Sequence, residues 1–475
     1  MNNFLKKEKF SNLIWTLFFL YVVFQALIVY LNFNSEIVDI DQFVTADQAK
    51  WMSKGHFFET NVYGSNYIVP LDAYLSSLII PFGFNPLTVV QLCNSVFFYL
   101  PFLYITKFFS NKFLLFRLSV ISLALFLPAK FLIVSHMARS FTTITSISAL
   151  SILYCLLENK NRLIILDLLL GSIFGITIAS NYGTLFLSPL LLLFSKKRTV
   201  IIFAVGSIIG YFFTSLLQEA FMTENIEVNA LNFSLSISSL DPKKISGYFL
   251  DNNIRNVLIS LLLPGLSIKL ILHFICKELP LLIRIKSWLV FSFMIFLIIL
   301  SFMTNKPGDY TPLNPFYAVE RLYVALPYFY ITLFAHIGKY YSTNENLISF
   351  TNKSFFENKK PFLVALVFLF IINLNSTFKF ILVNKEPMLV NPPSMQVVKL
   401  TPLKKACLIL KEDLKNDKNH YFVYGGPFGR DDGIVYGCSA IFDIPITQNI
   451  GEKRAWIKDY FESLGLKEKV SRGYF

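Results

Sequence analysis

Charge is scarce in this chain. Only 15% of its 475 residues are charged, whereas 54% are hydrophobic and 51 are Phe. The apolar residues come in long uncharged runs, and no soluble domain needs that much apolar surface, so the soluble globular classes are excluded. Cysteine is sparse as well. Cys93, Cys155, Cys276, Cys407 and Cys438 show neither a C-x-x-C pair nor metal-ligand spacing. Three of them lie in or beside apolar runs, where an inert packed thiol is the usual state. Cys407 and Cys438 share the C-terminal tail, where they either pair or stay free. Phosphate-binding glycine loops are missing: Gly425 to Gly433 has neither GxGxxG nor GxxxxGK spacing and reads as a turn.

What is there is a series of apolar runs long enough to cross a bilayer as helices. About eleven spans are expected, a multi-pass helical bundle. They lie at roughly 12–32, 87–107, 113–134, 141–157, 163–181, 183–195, 199–217, 254–276, 286–303, 320–338 and 361–381. The sixth is short and reads as a tilted or re-entrant segment. The first is long, and no small-residue cleavage pattern follows Asn34, so it reads as a retained span. The net charge of +13 does not point to nucleic acid. Lys6, Lys7, Lys9, Lys107, Lys112, Lys160, Arg162, Lys196, Lys197, Arg198, Lys277, Arg284, Lys286, Lys359 and Lys360 all fall on one side of the expected bundle. The loops between spans on the other side carry far fewer: Lys50, Lys54, Arg139, Lys243, Lys244 and Lys306. The positive-inside rule then puts the N-terminus in the cytoplasm of a cell membrane, a bacterial inner membrane by this reading.

With that orientation, segments 33–86, 218–253 and 304–319 and everything from about 382 onward face outward. The domain reading is a membrane-embedded unit over 1–381 and a small extracytoplasmic α/β tail over 382–475. In the tail, Thr401 to Asn416 reads as an amphipathic helix and Tyr421–Tyr424 and Ile434–Phe442 as strands. Gly451 to Val470 reads as helical.

The first outer loop has the most chemistry. Asp39-Ile-Asp41 follows the first span directly. From Asp41 to Gly55 the residues suit a short helix, with Asp41 capping it or sitting in its first turn and Gly55 ending it. Trp51 on this helix suits the headgroup belt. A second short helix is expected to start at Pro70, with Asp72 in its first turn, and to end at Gly83. Between them lies Tyr63-Gly64-Ser65-Asn66-Tyr67.

These residues resemble the GT-C glycosyltransferases, in particular the protein mannosyltransferase and aminoarabinose transferase type. Asp41, Ala46-Asp47 and Met52 fall where that family places its acid, an Ala-acid pair and a Met. Tyr63 to Tyr67 followed by Leu71-Asp72-Ala73-Tyr74-Leu75 looks like its YGxNY…LEAYL pattern. Leu322-Tyr323-Val324-Ala325-Leu326-Pro327 after Arg321 is similar to its RYLLPL segment. The strong match covers 39–86. The resemblance implies a GT-C bundle with outer juxtamembrane helices, and transfer of a sugar from a polyprenyl phosphate, with inversion, to a glycan, lipid or protein hydroxyl.

The chemistry agrees with that implication. An attacking hydroxyl must lose its proton to a positioned carboxylate, here Asp41. A lipid phosphate leaving group needs positive charge, and Arg139, in the short outer loop Ser135–Ser140, and Arg321, at an outer span end, are the candidates. Tyr63, Asn66, Tyr67 and Asp72 are candidate substrate contacts. Asp39 with Asp41 forms an Asp-x-Asp pair able to ligate a divalent cation such as Mg2+ or Mn2+. The sequence departs from relatives that carry a second acid in the next outer loop, because Ser135-His136-Met137-Ala138-Arg139 has none. That leaves His136 as a substitute. Competing classes are a flippase for lipid-linked saccharides, which would show ionisable residues in mid-span, and a polysaccharide polymerase or ligase, which would show an arginine-rich outer loop.

Overall fold

Away from water a backbone can satisfy its N–H and C=O groups within one segment only as a helix, and the apolar runs among the described residues take that form. The computed structural model describes residues 2–31, 37–56, 69–108, 141–157, 163–180, 182–221, 397–415, 420–424, 432–448 and 461–471, with short pieces at 234–235, 304–305 and between 281 and 336. In chain order these give helix α1 (Asn2–Val29), strand β1 (Ile37–Asp39), and helices α2 (Ile40–Ser53) and α3 (Leu71–Ser77). Helices α4 (Pro86–Phe108), α5 (Phe141–Leu157), α6 (Ile164–Ser180), α7 (Ser188–Phe194) and α8 (Lys197–Phe221) follow. After two short strands, β2 (Ser234–Leu235) and β3 (Thr304–Asn305), come β4 (Val397–Lys399), α9 (Leu400–Lys415), β5 (His420–Tyr424), α10 (Asp432–Phe442), β6 (Ile446–Gln448) and β7 (Lys467–Ser471).

Among the described residues, Pro86–Phe108 and Lys197–Leu217 are long and apolar enough to cross a membrane. Four expected spans coincide within a few residues with α4, α5, α6 and α8. The first helix starts earlier than expected, at Asn2, because the lysine-rich segment before the apolar run continues the helix. The sixth apolar run is broken: a 3-10 turn over Tyr182–Leu187 leads into the seven-residue α7, with a proline in its first turn. Expected spans 113–134, 254–276 and 361–381 lie outside the described residues, and 286–303 and 320–338 are described only in part.

The bundle is knit by polar contacts between helices as well as by apolar packing. Ser148 of α5 donates to Thr177 Oγ1 of α6 at 2.6 Å. Ser146 of α5 donates to the Phe97 carbonyl of α4. Phe98, Phe102 and Tyr328 gather their rings, and the Tyr328 hydroxyl donates to the Phe98 carbonyl at 3.0 Å. Helices α6 and α8 meet backbone to backbone. A Cβ added at Gly171 or Gly175 would collide with the Phe203 or Ser207 carbonyl, and one at Gly206 or Gly210 with the Leu168 or Ser172 carbonyl. Two facing small-xxx-small rows permit that approach. On its other side α8 leaves Ile201, Ile208, Phe212 and Leu216 exposed, a face suited to lipid.

The tail forms a parallel three-stranded sheet in the order β6-β5-β7. The expected helix at 401–416 and strand at 421–424 are present as α9 and β5. Ile434–Phe442, expected as a strand, is instead helix α10. Two parallel strands, β5 and β6, need a crossover between them, and a helix supplies it. Residues Val435 to Ala440 are all buried, so the sequence offers no face alternation from which to read the period. The expected helix over 451–470 gives way at its end to β7, paired in parallel with β5. A disulfide joins Cys407 of α9 to Cys438 of α10, which decides the pairing the spacing left open.

Candidate functional site

Helix α2 carries Asp41 in its first turn, two residues beyond Asp39 of β1. It ends where Gly55 turns left-handed at φ +91°, with Gly55 N–H on the Met52 carbonyl at 3.0 Å and His56 N–H on the Trp51 carbonyl at 3.1 Å. This double closure is the Schellman arrangement, and it places a glycine where a Cβ would be strained. Helix α3 follows Pro70, and its backbone terminates through a 3-10 turn at Gly83, φ +90°. Asn85 then caps α4, accepting from the N–H groups of Leu87 at 3.0 Å and Thr88 at 3.4 Å, with Pro86 as the first helical residue.

Helix α2 is enclosed by α3, α4 and the tail helix α10. Phe43, Ala46, Ala49 and Met52 share one apolar core with Leu87 and Val90 of α4 and with Leu403, Phe422, Val435 and Tyr436 of the tail. Gly437 lets α10 approach this closely, because a side chain there would meet Leu403 and the Phe43 ring. Burying such a core is worth roughly 1.5–3 kcal/mol per large apolar side chain. The tail and the first outer loop therefore fold on a common core. Trp51 is also drawn into the contact. It was expected at the headgroups, but it is 4% exposed and packs edge-on against Phe461 at 6.1 Å, beneath the Lys54 ammonium at 5.1 Å.

The remaining faces of α2 are polar and equally enclosed. Gln42, Thr45, Asp47, Gln48 and Lys50 are all buried. The Lys50 ammonium donates to the Ser439 carbonyl near the C-terminal end of α10 at 2.7 Å and lies 2.5 Å from an Asp443 carboxylate oxygen. A cation at a helix C-terminus meets free carbonyls and the negative end of the dipole. Burial pushes the Lys50 ammonium below its usual value, with Asp47 and Asp443 opposing the shift. For Asp443 burial acts upward, but Lys50 and Lys54 outweigh it, so its carboxyl titrates below the ordinary carboxylate range. Asp443 holds the left-handed conformation at φ 55°, which aspartate tolerates and which turns its side chain back to the two lysines.

Asp72 is fully buried. One of its carboxylate oxygens accepts from the Ala73 N–H at 3.1 Å and the other from the Asn94 amide at 3.5 Å. Asn94 in turn accepts from the Thr143 hydroxyl at 2.7 Å. The chain Asp72–Asn94–Thr143 ties α3 to α4 and α5, so Asp72 faces the protein interior. Of the other sequence candidates, Asp39 and Asp41 lie two residues apart at the β1–α2 junction. Tyr63, Asn66, Tyr67, His136, Arg139 and Arg321 lie outside the described residues. Among the described residues no three His, Cys, Asp or Glu side chains gather as a cation site. No step below runs through a metal. Lys50, Asp443 and Asn94 were not singled out from sequence. The one signal for Lys50 was its place three residues after Asp47 on a helix otherwise poor in charge.

Comparison with known proteins follows the same architecture. The chain is similar to the crystal structure of ArnT from Cupriavidus metallidurans bound to undecaprenyl phosphate, with a TM-score of 0.54 over 94% of this chain and 89% of that one, at 10% sequence identity. No protein-family model matches the chain, and no curated protein sequence does. The expected GT-C type of membrane fold is the one this chain shares with that structure.

Proposed function

We propose that the protein is an inverting glycosyltransferase that moves a sugar from a polyprenyl phosphate to an acceptor hydroxyl outside the cytoplasm, with Asp41 as general base. The observation that carries this reading is a carboxylate-bearing residue in the first turn of a buried helix, directly after the first span, within a fold shared with ArnT over 94% of the chain. That neighbour was solved with undecaprenyl phosphate bound, which supports a polyprenyl phosphate as the lipid here. The disulfide in the tail supports an outward-facing location, since such bonds persist in oxidising compartments.

In the reaction the acceptor oxygen attacks the anomeric carbon from the side opposite the phosphate. As the new carbon–oxygen bond forms, the hydroxyl proton passes to Asp41 and the bond to the phosphate oxygen breaks with its electron pair. Arg139, Arg321 and His136 are the groups assigned to the developing charge on the polyprenyl phosphate. Tyr63, Asn66 and Tyr67 line the sugar. Asp72, engaged by Asn94, holds α3 to α4.

A flippase remains the second reading, and the polymerase or ligase class the third. Asp167, buried near the start of α6, is engaged by the Cys155 thiol at 3.9 Å and lies at the opposite end of that helix from Ser180. This placement does not give the mid-span charge a transport path needs.

The test is transfer of labelled sugar from polyprenyl phosphate donors by purified protein in lipid, with Asp41→Asn beside wild type. Loss of transfer in Asp41→Asn with normal membrane insertion is the expected result. Full activity in that variant rejects Asp41 as the base, and donor translocation without transfer by wild type favours the flippase.

A further inference from the structure

The C-terminal tail grips helix α2 at both ends. At its start, β1 pairs antiparallel with β4 of the tail, Asp39 opposite Val397 and Ile37 opposite Lys399, so the strand feeding Asp41 is hydrogen-bonded to residues from the far end of the chain. At its close, Lys50 is seated in the end of α10, on the Ser439 carbonyl and the Asp443 carboxylate. Between these two points Phe43 packs on Gly437. The disulfide between Cys407 and Cys438 binds α9, which continues β4, to α10, which receives Lys50, so the two grips belong to one covalently closed piece.

We infer that the tail is a positioning part of the catalytic centre: its two grips set the tilt and register of α2, and Lys50 is the positioning residue. The inference rests on the transferase reading above. A short helix has little rigidity of its own in water, since most helical stability in proteins comes from packing. A general base must sit within about 3 Å of the proton it removes, so a small drift of its helix is costly. Side chains on the scaffold that lock a reacting group need not touch the substrate to matter for rate.

Lys50→Met removes the cation that the Ser439 carbonyl, Asp47 and Asp443 share while keeping the length of the side chain. Two readouts are taken on full-length protein in lipid. The first is hydrogen–deuterium exchange over 40–53, which does not depend on activity. The second is the split between kcat and KM for the polyprenyl phosphate donor. Lys50→Met should speed exchange in α2 and lower kcat on the order of tenfold to a hundredfold, with donor KM near wild type. Lys50→Arg should restore most of both. Asp443→Asn, at an exposed position, serves as the second variant, with a smaller change in the same direction.

If the tail only captures acceptor, tail variants raise acceptor KM and leave kcat and α2 exchange alone, and the inference is overturned. Wild-type exchange and wild-type kcat in Lys50→Met overturn it equally. If wild type itself transfers no sugar, the transferase reading falls separately. The exchange data then decide the grip alone: faster exchange in Lys50→Met upholds it, and unchanged exchange removes it.

Discussion

Gly175 of α6 lies so close to the carbonyl oxygen of Ser207 of α8 that no side chain fits between them; a Cβ there would also come within 2.8 Å of the Tyr211 backbone nitrogen. The neighbouring atoms are backbone, which cannot rotate aside. Gly175→Ala should therefore force the two helices apart, at a cost of roughly 1–3 kcal/mol. Thermal unfolding in detergent checks this, and an unchanged midpoint would mean the crossing is looser than described.

The buried link from Asp72 to Asn94 has a different signature. Asp72→Ala leaves the Asn94 amide without that acceptor and should cost roughly 1–3 kcal/mol. Because both side chains serve one network, Asp72→Ala combined with Asn94→Ala should cost less than the sum of the single changes. Strict additivity in that double-mutant cycle would show that the pair is not coupled.

The disulfide closes a segment whose ends are 31 residues apart. Replacing Cys407 and Cys438 together by Ala should lower stability by about 2–4 kcal/mol, chiefly by freeing the unfolded chain. The wild-type protein should change gel mobility on reduction, and the double variant should not.

Asp443 gives a pH dependence with a definite sign. Its carboxyl titrates lower in the folded protein than in the unfolded chain, so its contribution is complete above the ordinary carboxylate range and is lost as pH falls through the lower, folded value. The carboxylate is 70% exposed, so solvent screens the attraction and the effect is modest. Exchange over α2, taken relative to the intrinsic amide rate, should therefore rise in wild type only in strongly acidic buffer, below the ordinary carboxylate range. Asp443→Asn should show the higher rate at every pH, without that acidic step.

The bundle was readable in the sequence because its cause is local. A run of apolar residues needs only its own length to define a span, and α4, α5, α6 and α8 fall where the runs predict. The stops were readable for the same reason: Gly55 and Gly83 mark the left-handed turns that end α2 and the segment after α3. Even the α6–α8 crossing left a local trace in the paired glycines at 171, 175, 206 and 210, although its meaning depends on which helices face each other. Residues Ile434–Phe442 misled because their stretch Val435–Ala440 is buried throughout and has no polar face to reveal its period.

By itself, then, the sequence determined a helical membrane chain with an acid just past its first span and a short helix to carry it. Only the tertiary structure decided that β1 pairs with β4, that Lys50 is seated at the end of α10, and that Trp51 is buried in the tail rather than at the headgroups. Each of these joins residues from opposite ends of the chain. Hydropathy and capping act over a few neighbours, whereas such pairings depend on which surfaces meet once the chain has closed on itself.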